Sequence, residues 1–185
     1  MSTSTPWMIA FLILFALIML SRAGYANPPG MKAPWPGGIT FQVNQGNFGY
    51  ISHNDPHTFY AWDFDLPLGT PVVAVANGTI AVTGYRNDGY GNRIQIRHVN
   101  RAYSLYAHLE SFLVAPGENV WQGQIIGYSG NTGYTGGPHL HFSIIDKENY
   151  SLPSIFSDIG EPVEGQCCTS QNWFVGRVVC NPRSV

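Results

Sequence analysis

Short runs of apolar, β-branched and aromatic residues, separated by Gly and Asn, follow one another along the chain from residue 70 onward. Such runs predict strands, and they fall at residues 71–76, 79–83, 93–98, 104–107, 124–128 and 140–144. Residues 93–97 alternate without exception, so Ile94 and Ile96 are expected in the core and the polar residues around them in solvent. No stretch after residue 26 has a sustained helical period. The pattern predicts an all-β protein, a single compact antiparallel sheet or sandwich domain with short helices at most.

The beginning of the chain departs from this pattern. Residues 7–20 form an unbroken apolar run, followed by a polar pair and small residues, as in a secretory signal peptide cleaved after Ala26. A retained membrane anchor is the alternative, but the run is shorter than the ~20 residues that a membrane span needs. We therefore expect residues 1–26 to be a signal peptide and the protein to be periplasmic or secreted, without a stable membrane span after cleavage.

Three further segments follow the predicted signal peptide. Residues 27–44 are rich in Pro, Gly and Asn and predict an extended lead-in that lies on the domain rather than in its core. Residues 45–148 contain the predicted strands and form the domain itself. Residues 149–185 contain Pro, Ser and Gly among scattered aromatic residues and predict an appended C-terminal tail.

The three cysteines, Cys167, Cys168 and Cys180, all fall within that tail. This favours a local disulfide between Cys180 and either Cys167 or Cys168 in an oxidising compartment, with one thiol left over. Adjacent cysteines without a nearby CxxC motif or histidine partner have poor spacing for zinc. We therefore predict a tail that is pinned by a disulfide.

Composition limits the number of domains and the kinds of partner. A chain of 185 residues with 44% hydrophobic and 11% charged residues can bury one core but is short for two ordinary domains. The formal net charge of −2 becomes −3 without residues 1–26, which carry Arg22 and no acid. Neither value suits a polyanion, so nucleic acid is not an expected partner.

Histidines and one aspartate supply the candidate chemistry. His139 and His141 lie two positions apart at a predicted strand, so both imidazoles project from one face. Alone, such a pair is weak evidence, but His53, His57 and Asp63 offer further donors upstream. Two histidines and a carboxylate suit a catalytic zinc ion, which accepts both donor types and keeps one position open for water.

His108 ends the predicted strand 104–107. Counting by two along this strand puts His108 on the same face as Ser104 and Tyr106. By itself it is an ordinary half-buried histidine that could face a cleft.

Several short blocks occur in a specific order between residues 45 and 146. They are Gln45-Gly46, Ser52-His53, residues 60–64, residues 68–72, Gly78, residues 90–92, residues 106–109, Gly123-Gln124, residues 130–133 and residues 137–142. This order resembles the lysostaphin-like (LytM-type) zinc metalloendopeptidases, which act on peptidoglycan. The resemblance implies an all-β domain with a groove over a zinc site.

It also implies roles for five residues. His53, Asp63 and His141 would be the zinc ligands, with water in the fourth position, and His108 and His139 would be catalytic. The implied activity is a zinc-dependent endopeptidase that hydrolyses peptide bonds in peptidoglycan through a metal-activated water. The two catalytic histidines would accept the water proton, stabilise the oxyanion and protonate the leaving amine.

The first ligand has a rival in His57, which lies closer to Asp63 in the sequence. The Gln-Gly and Ser-His blocks resemble a branch of the family that has a longer insertion between the two ligands. In that alignment His57 falls within the insertion, as a rim residue or a contact of the site. We therefore expect His53 to be the ligand.

Two other classes of function compete with this one. A non-catalytic wall-binding or amidase-activating module of the same fold would need neither His108 nor His139, so the presence of all five residues argues against it. A serine hydrolase lacks a candidate, because the sequence around Ser129 is not a GxSxG elbow, and no helical HExxH motif occurs. The sequence does not predict which peptidoglycan bond is cut.

Overall fold

The computed structural model describes residues 27–174. The predicted signal peptide and Cys180 therefore lie outside the described residues. Within the described range, strands connected by turns and loops make up the fold, and no helix occurs. The all-β prediction is confirmed.

The strands are antiparallel and form two sheets. In chain order they are β1 (Thr40–Gln45), β2 (Ala61–Phe64), β3 (Pro71–Val73), β4 (Gly78–Arg86), β5 (Gly91–Arg97), β6 (Tyr103–Ala107), β7 (Leu109–Phe112), β8 (Asn119–Val120), β9 (Ile125–Ser129), β10 (Leu140–Ile145) and β11 (Cys167–Thr169). The larger sheet has the order β11-β1-β2-β10-β6-β5-β4-β8, and the smaller has the order β3-β9-β7. All six predicted strands occur, with ends that differ by up to three residues.

One hydrophobic core joins the two sheets. Ile94 and Phe142 of the larger sheet are fully buried in the same cluster as Val72 and Ile126 of the smaller one. The apolar residues of β10 thus face this core, as the alternation in its sequence predicts. The opposite face of the larger sheet is left for polar side chains.

The lead-in contributes to the core, which differs from the prediction. Met31, Ala33 and Trp35 are fully buried in the core cluster, and the Trp35 ring packs edge-on against Phe64 at 4.9 Å. A buried Trp side chain removes a large apolar area from water, and this outweighs the bias of the surrounding Pro and Gly toward an extended surface segment. The expectation that residues 27–44 stay outside the core is therefore wrong for these residues.

The C-terminal segment is also tied to the domain. Strand β11 pairs with β1, and Leu152 and Phe156 are buried in the core cluster. Cys167 is exposed and Cys168 is buried, and neither is bonded to another cysteine within residues 27–174. The predicted disulfide with Cys180 stays a prediction.

Strand β5 corrects a second expectation. Arg93 and Gln95 were expected in solvent, but they are only 7% and 6% exposed. The Gln95 amide donates a hydrogen bond to Asn149 Oδ1 at 2.9 Å, so the turn after β10 covers this part of the sheet. Strict alternation in the sequence separates the two faces of a strand but does not say which face is exposed.

Candidate metal and catalytic site

Four adjacent strands bring functional residues into one row across the larger sheet. Gln45 of β1 pairs with Asp63 of β2, Asp63 pairs with His141 of β10, and His141 pairs with Ala107 of β6. Directly opposed residues of antiparallel strands project to the same face. Asp63 and His141 therefore lie side by side, with His141 Nδ1 2.9 Å from Asp63 Oδ1.

His53 enters this row from the loop between β1 and β2. The Gly49 carbonyl accepts a hydrogen bond from its backbone amide, and the Gly46 carbonyl lies 2.8 Å from its Nδ1. The side chain is fully buried, with Nε2 3.3 Å from Asp63 Oδ1. Because a carbonyl oxygen only accepts, Nδ1 carries the proton and Nε2 presents its lone pair to the carboxylate.

The three side chains fit a divalent cation. His53, Asp63 and His141 each offer one ligand atom, and these atoms lie within 4.8 Å of one another. The Nε2 atoms of His53 and His141 are buried without a hydrogen-bond partner in the described part of the chain. An unpartnered buried nitrogen is costly, and a cation beside Asp63 would satisfy the Nε2 of His53, which faces Asp63 Oδ1. Two imidazoles and one carboxylate are a donor set that zinc accepts.

Asp63 is held in its ionised form. Burial alone would raise the pKa of this carboxyl, but interactions with the imidazoles of His141 and His53 outweigh burial and hold the pKa well below its usual range. Gln45 also contributes, since its side-chain amide donates to Asp63 Oδ2 at 3.3 Å and to Ser52 Oγ at 2.7 Å. The carboxylate is thus oriented from both sides.

The position of His108 corrects the prediction made from the alternation of β6. Tyr106 pairs with Phe142 and lies on the core face, whereas His108 adopts a left-handed backbone conformation with φ of 61°. This conformation interrupts the alternation between β6 and β7. The His108 ring lies on the opposite face from Tyr106, with its centroid 4.6 Å from that of His139 and 5.9 Å from that of His141.

His108 and His139 are oriented in the same manner. The Thr132 carbonyl accepts from His108 Nδ1 at 2.8 Å, and the Gly137 carbonyl accepts from His139 Nδ1 at 2.9 Å. In the neutral rings the lone pair is therefore on Nε2. Burial, together with the neighbouring His141 and His139, lowers the pKa of His108 to about 4. At neutral pH His108 is uncharged and able to accept a proton.

His57 does not join the metal-ligand group. Its side chain is exposed, its ring stacks on Tyr150 at 4.6 Å, and its Nδ1 lies 2.9 Å from the Asn149 carbonyl oxygen. It lines the wall of the groove. The geometry therefore brings His53, and not His57, to Asp63 and His141.

Two contributors to the site had no role in the sequence analysis. Gln45 and Tyr90 each begin one of the sequence blocks that resemble the family. Those blocks were the only sign in the sequence that these two residues belong to the site. The Tyr90 ring lies 5.4 Å from that of His141. Burial, with the nearby Asp55 and Asp88 carboxylates, raises the pKa of Tyr90 to about 12, so its hydroxyl stays protonated.

The side chains of the site open into a groove of about 1260 Å³. Its walls come from the loop before β2, the β4–β5 hairpin, the loop before β10 and the turn after β10. Residues from each wall include Ile51, Tyr90, Tyr134 and Asn149. A groove of this size can hold an extended peptide over the histidine cluster.

Fold, groove and histidine cluster together define a candidate metal-dependent hydrolase. Residues 56–153, more than half of the 185-residue chain, match the family described as Peptidase family M23. The chain therefore belongs to peptidase family M23, which confirms the resemblance noted from the sequence.

Individual relatives are similar over the same region. The DD-carboxypeptidase/endopeptidase Mpg of Neisseria meningitidis serogroup B is 48% identical over 98 residues, 51% of this chain and 22% of that protein. The glycyl-glycine endopeptidase ALE-1 of Staphylococcus capitis is 46% identical over 86 residues, 45% of this chain and 23% of that protein. The chain thus spans about a fifth of the length of these relatives.

A solved structure of lysostaphin from Staphylococcus simulans is similar to this fold. It superposes with a TM-score of 0.52 and 37% sequence identity, over 57% of this chain and 42% of that chain. The similarity supports the sheet arrangement that carries the site.

Proposed function

We propose that this protein is a zinc-dependent endopeptidase that hydrolyses peptide bonds in bacterial peptidoglycan. The observation that carries the proposal is the convergence of His53, Asp63 and His141 into one ligand group, with His108 and His139 beside it. Membership of peptidase family M23 supports peptidoglycan hydrolysis.

His53, Asp63 and His141 would hold the zinc ion. When bound, zinc supplies Lewis-acid chemistry, lowering the pKa of a water molecule and polarising the scissile carbonyl. The ligand side chains are preorganised, because the Gly46 carbonyl fixes the tautomer of His53 and the Gln45 amide orients the Asp63 carboxylate. The unpartnered Nε2 of His53, which faces Asp63 Oδ1 at 3.3 Å, supports this assignment.

His108 and His139 would handle protons and charge at their Nε2 atoms. Both rings are held by backbone carbonyls through Nδ1, which leaves Nε2 free to accept a proton from the attacking water. His139 Nε2 is also 3.8 Å from Asp63 Oδ1, so it lies beside the metal-ligand group. A protonated ring can then stabilise the oxyanion and return the proton to the leaving amine.

The expected substrate is a peptidoglycan peptide in the periplasm or outside the cell. A relative named peptidoglycan DD-endopeptidase, ShyA of Vibrio cholerae, which is 46% identical over 84 residues, supports this substrate class. Within residues 27–174 no helix is long and apolar enough to cross a membrane. Secretion through a signal peptide at residues 1–26 stays part of the proposal.

A non-catalytic wall-binding or amidase-activating module is the alternative. Binding would not require two further histidines with free Nε2 atoms beside the ligand group, so the geometry of His108 and His139 favours catalysis.

Digestion of purified sacculi by the purified chain tests the proposal. We expect soluble peptide fragments in mass spectra, their loss on addition of a chelator, and their return on addition of zinc. Arg97→Gln, an exposed substitution on β5 away from the site, serves as the matched control and should release the same fragments. Unchanged sacculi with zinc-loaded, folded protein would favour the non-catalytic module.

A further inference from the structure

Arg93 is a cation in the wall of the groove that lacks a partner. It is only 7% exposed and lines the groove from strand β5. No hydrogen bond or ion pair to another described residue engages its guanidinium group. Because no carboxylate of the described residues is hydrogen-bonded to it, the guanidinium group can engage an anion that enters the groove.

Arg93 lies in the same row across the larger sheet as Asp63 and His141. Its neighbour Ile94 pairs with Tyr106, so Arg93 stands next to Ala107, and Ala107 pairs with His141. Two strand spacings therefore separate Arg93 from His141, roughly 10 Å between backbones. Arg93 and His141 share the face opposite the core.

Small residues flank Arg93 on both neighbouring strands. Ala107 lies on β6, and Gly84 of β4 pairs directly with Arg93. A Cβ atom built on Gly84 would meet no atom within 4 Å, so there is open space beside it. Ala107, on the side of Arg93 toward His141, carries only a methyl group, and the open space at Gly84 lies on the far side of Arg93.

The nearby charges leave Arg93 positive. The Asp88 carboxylate forms an ion pair with Arg86 at 2.6 Å and not with Arg93. Burial and the neighbouring Arg86 lower the pKa of Arg93, whereas the Asp88 carboxylate acts in the opposite direction and favours its charged form. Asp55, Asp65 and Glu148 also line the groove, but no ion pair joins any of them to Arg93 within the described part of the chain.

We propose that Arg93 binds a carboxylate of the peptide substrate close to the scissile bond. The forked guanidinium group matches a carboxylate with two parallel hydrogen bonds. An extended residue spans about 3.4 Å, so a carboxylate one or two residues beyond the scissile bond lies within reach of Arg93.

This inference rests on the proposed function and specifies its substrate class. A bond within a glycine bridge has no carboxylate beside it, because glycine carries no charged side chain. A peptide that ends one residue after the scissile bond carries its terminal carboxylate there. Arg93 therefore favours carboxylate-bearing stem peptides, as for the DD-carboxypeptidase/endopeptidase relative, over glycyl-glycine bridges.

The test compares two peptides that differ in one group. One is an acylated D-alanyl-D-alanine peptide with a free C-terminal carboxylate, and the other is its C-terminal carboxamide. Hydrolysis of each is measured with the zinc-loaded protein, and binding of each is measured by calorimetry in a His139→Ala background. We compare the unsubstituted chain, Arg93→Gln, Arg93→Lys and the matched control Arg97→Gln, each checked for folding by thermal unfolding.

The unsubstituted chain should prefer the carboxylate peptide by roughly 10- to 100-fold, mainly through KM and binding affinity. Arg93→Gln should lose this preference while the carboxamide peptide is bound and cut as before, and Arg97→Gln should keep it. Arg93→Lys retains the charge without the fork and should keep part of the preference, which decides the matter if Arg93→Gln does not fold.

Two results would overturn the inference: no preference in the unsubstituted chain, or an equal preference in the Arg93 variants. Binding separates this inference from the proposed function. If the chain binds the carboxylate peptide through Arg93 but cuts neither peptide, the carboxylate site stands, and the digestion of sacculi decides the endopeptidase proposal separately. If the unsubstituted chain and the Arg93 variants cut both peptides equally well, the chain is a peptidase but Arg93 does not bind a substrate carboxylate.

Discussion

Two buried polar groups that contain histidine lie on the larger sheet, one around Asp63 and one around His98, and their hydrogen-bonding needs are met differently. His98 has a partner at each ring nitrogen, the Asn77 carbonyl oxygen at 2.9 Å and Ser104 Oγ at 2.9 Å. Ser104 Oγ is also hydrogen-bonded to the Tyr106 hydroxyl at 3.1 Å. The Tyr106 hydroxyl in turn accepts a hydrogen bond from the Val75 amide at 3.0 Å. In the Asp63 group, the Nε2 atoms of His53 and His141 have no hydrogen-bond partner within residues 27–174.

This difference distinguishes a structural histidine from a functional one. Both groups are buried, so burial alone does not separate them. A fully hydrogen-bonded network stabilises the fold and needs no ligand, whereas an unpartnered nitrogen that faces a carboxylate, as His53 Nε2 faces Asp63, suits a cation. The comparison predicts that substitutions in the Asp63 group affect metal and turnover, and that substitutions in the His98 group affect stability.

The largest effect is expected from removal of a metal ligand. The purified chain should hold about one zinc ion, and His53→Ala or His141→Ala should lose both the metal and wall cleavage. His57→Ala is the matched control, since its exposed ring stacks on Tyr150 outside the ligand group, and it should stay loaded. Elemental analysis measures this. Metal lost from His57→Ala and retained in His53→Ala would reverse the assignment.

The next effect separates the two histidines proposed as catalytic, His108 and His139, from the three proposed ligands. His108→Ala and His139→Ala should each lower kcat by roughly 10²- to 10⁴-fold, because general acid–base catalysis supplies about that much. Both should keep their zinc, since the ligand group does not include them. Parallel measurements of kcat and bound zinc check this. Release of zinc from His108→Ala would show that His108 supports metal binding instead.

A third prediction concerns the structural network. Tyr106→Phe removes a fully buried hydroxyl that accepts from the Val75 amide, and the loss should lower the free energy of unfolding by about 1–3 kcal/mol. Denaturant unfolding measures the loss, and kcat with zinc bound should be unchanged. A large drop in kcat with normal stability would mean that the network acts on the catalytic face.

The smallest effect is a pH dependence of stability from His98. Burial, the main cause, lowers the pKa of His98 below its ordinary value of 6.5, so the unfolded chain binds this proton more readily than the folded one. The contribution of His98 is complete above pH 6.5 and is lost as the pH falls below that value.

Unfolding of the unsubstituted chain and of His98→Gln between pH 7.5 and 5 isolates this contribution, because the two proteins share all other histidines. His98→Gln should lose less stability on acidification. Identical pH profiles would show that His98 does not titrate differently in the folded state.

Local alternation predicted a good part of the site. In β10 it correctly separated the apolar residues from the histidine face, because strand geometry places alternate side chains on opposite faces whatever the rest of the chain does. It failed at His108, where a single left-handed residue reverses the face. It also failed at Arg93 and Gln95, which are both buried, Gln95 beneath a distant turn.

The sequence by itself determined the all-β class, the strand positions, the family and the set of candidate histidines, since these depend on short-range alternation and on an ordered series of blocks. Only the tertiary structure decided which histidine meets Asp63, which face His108 takes and which residues of the lead-in enter the core. Those outcomes depend on contacts between residues far apart in the chain, such as Asp63 and His141, 78 positions apart. Strand register and loop closure create such contacts, and no local pattern specifies them.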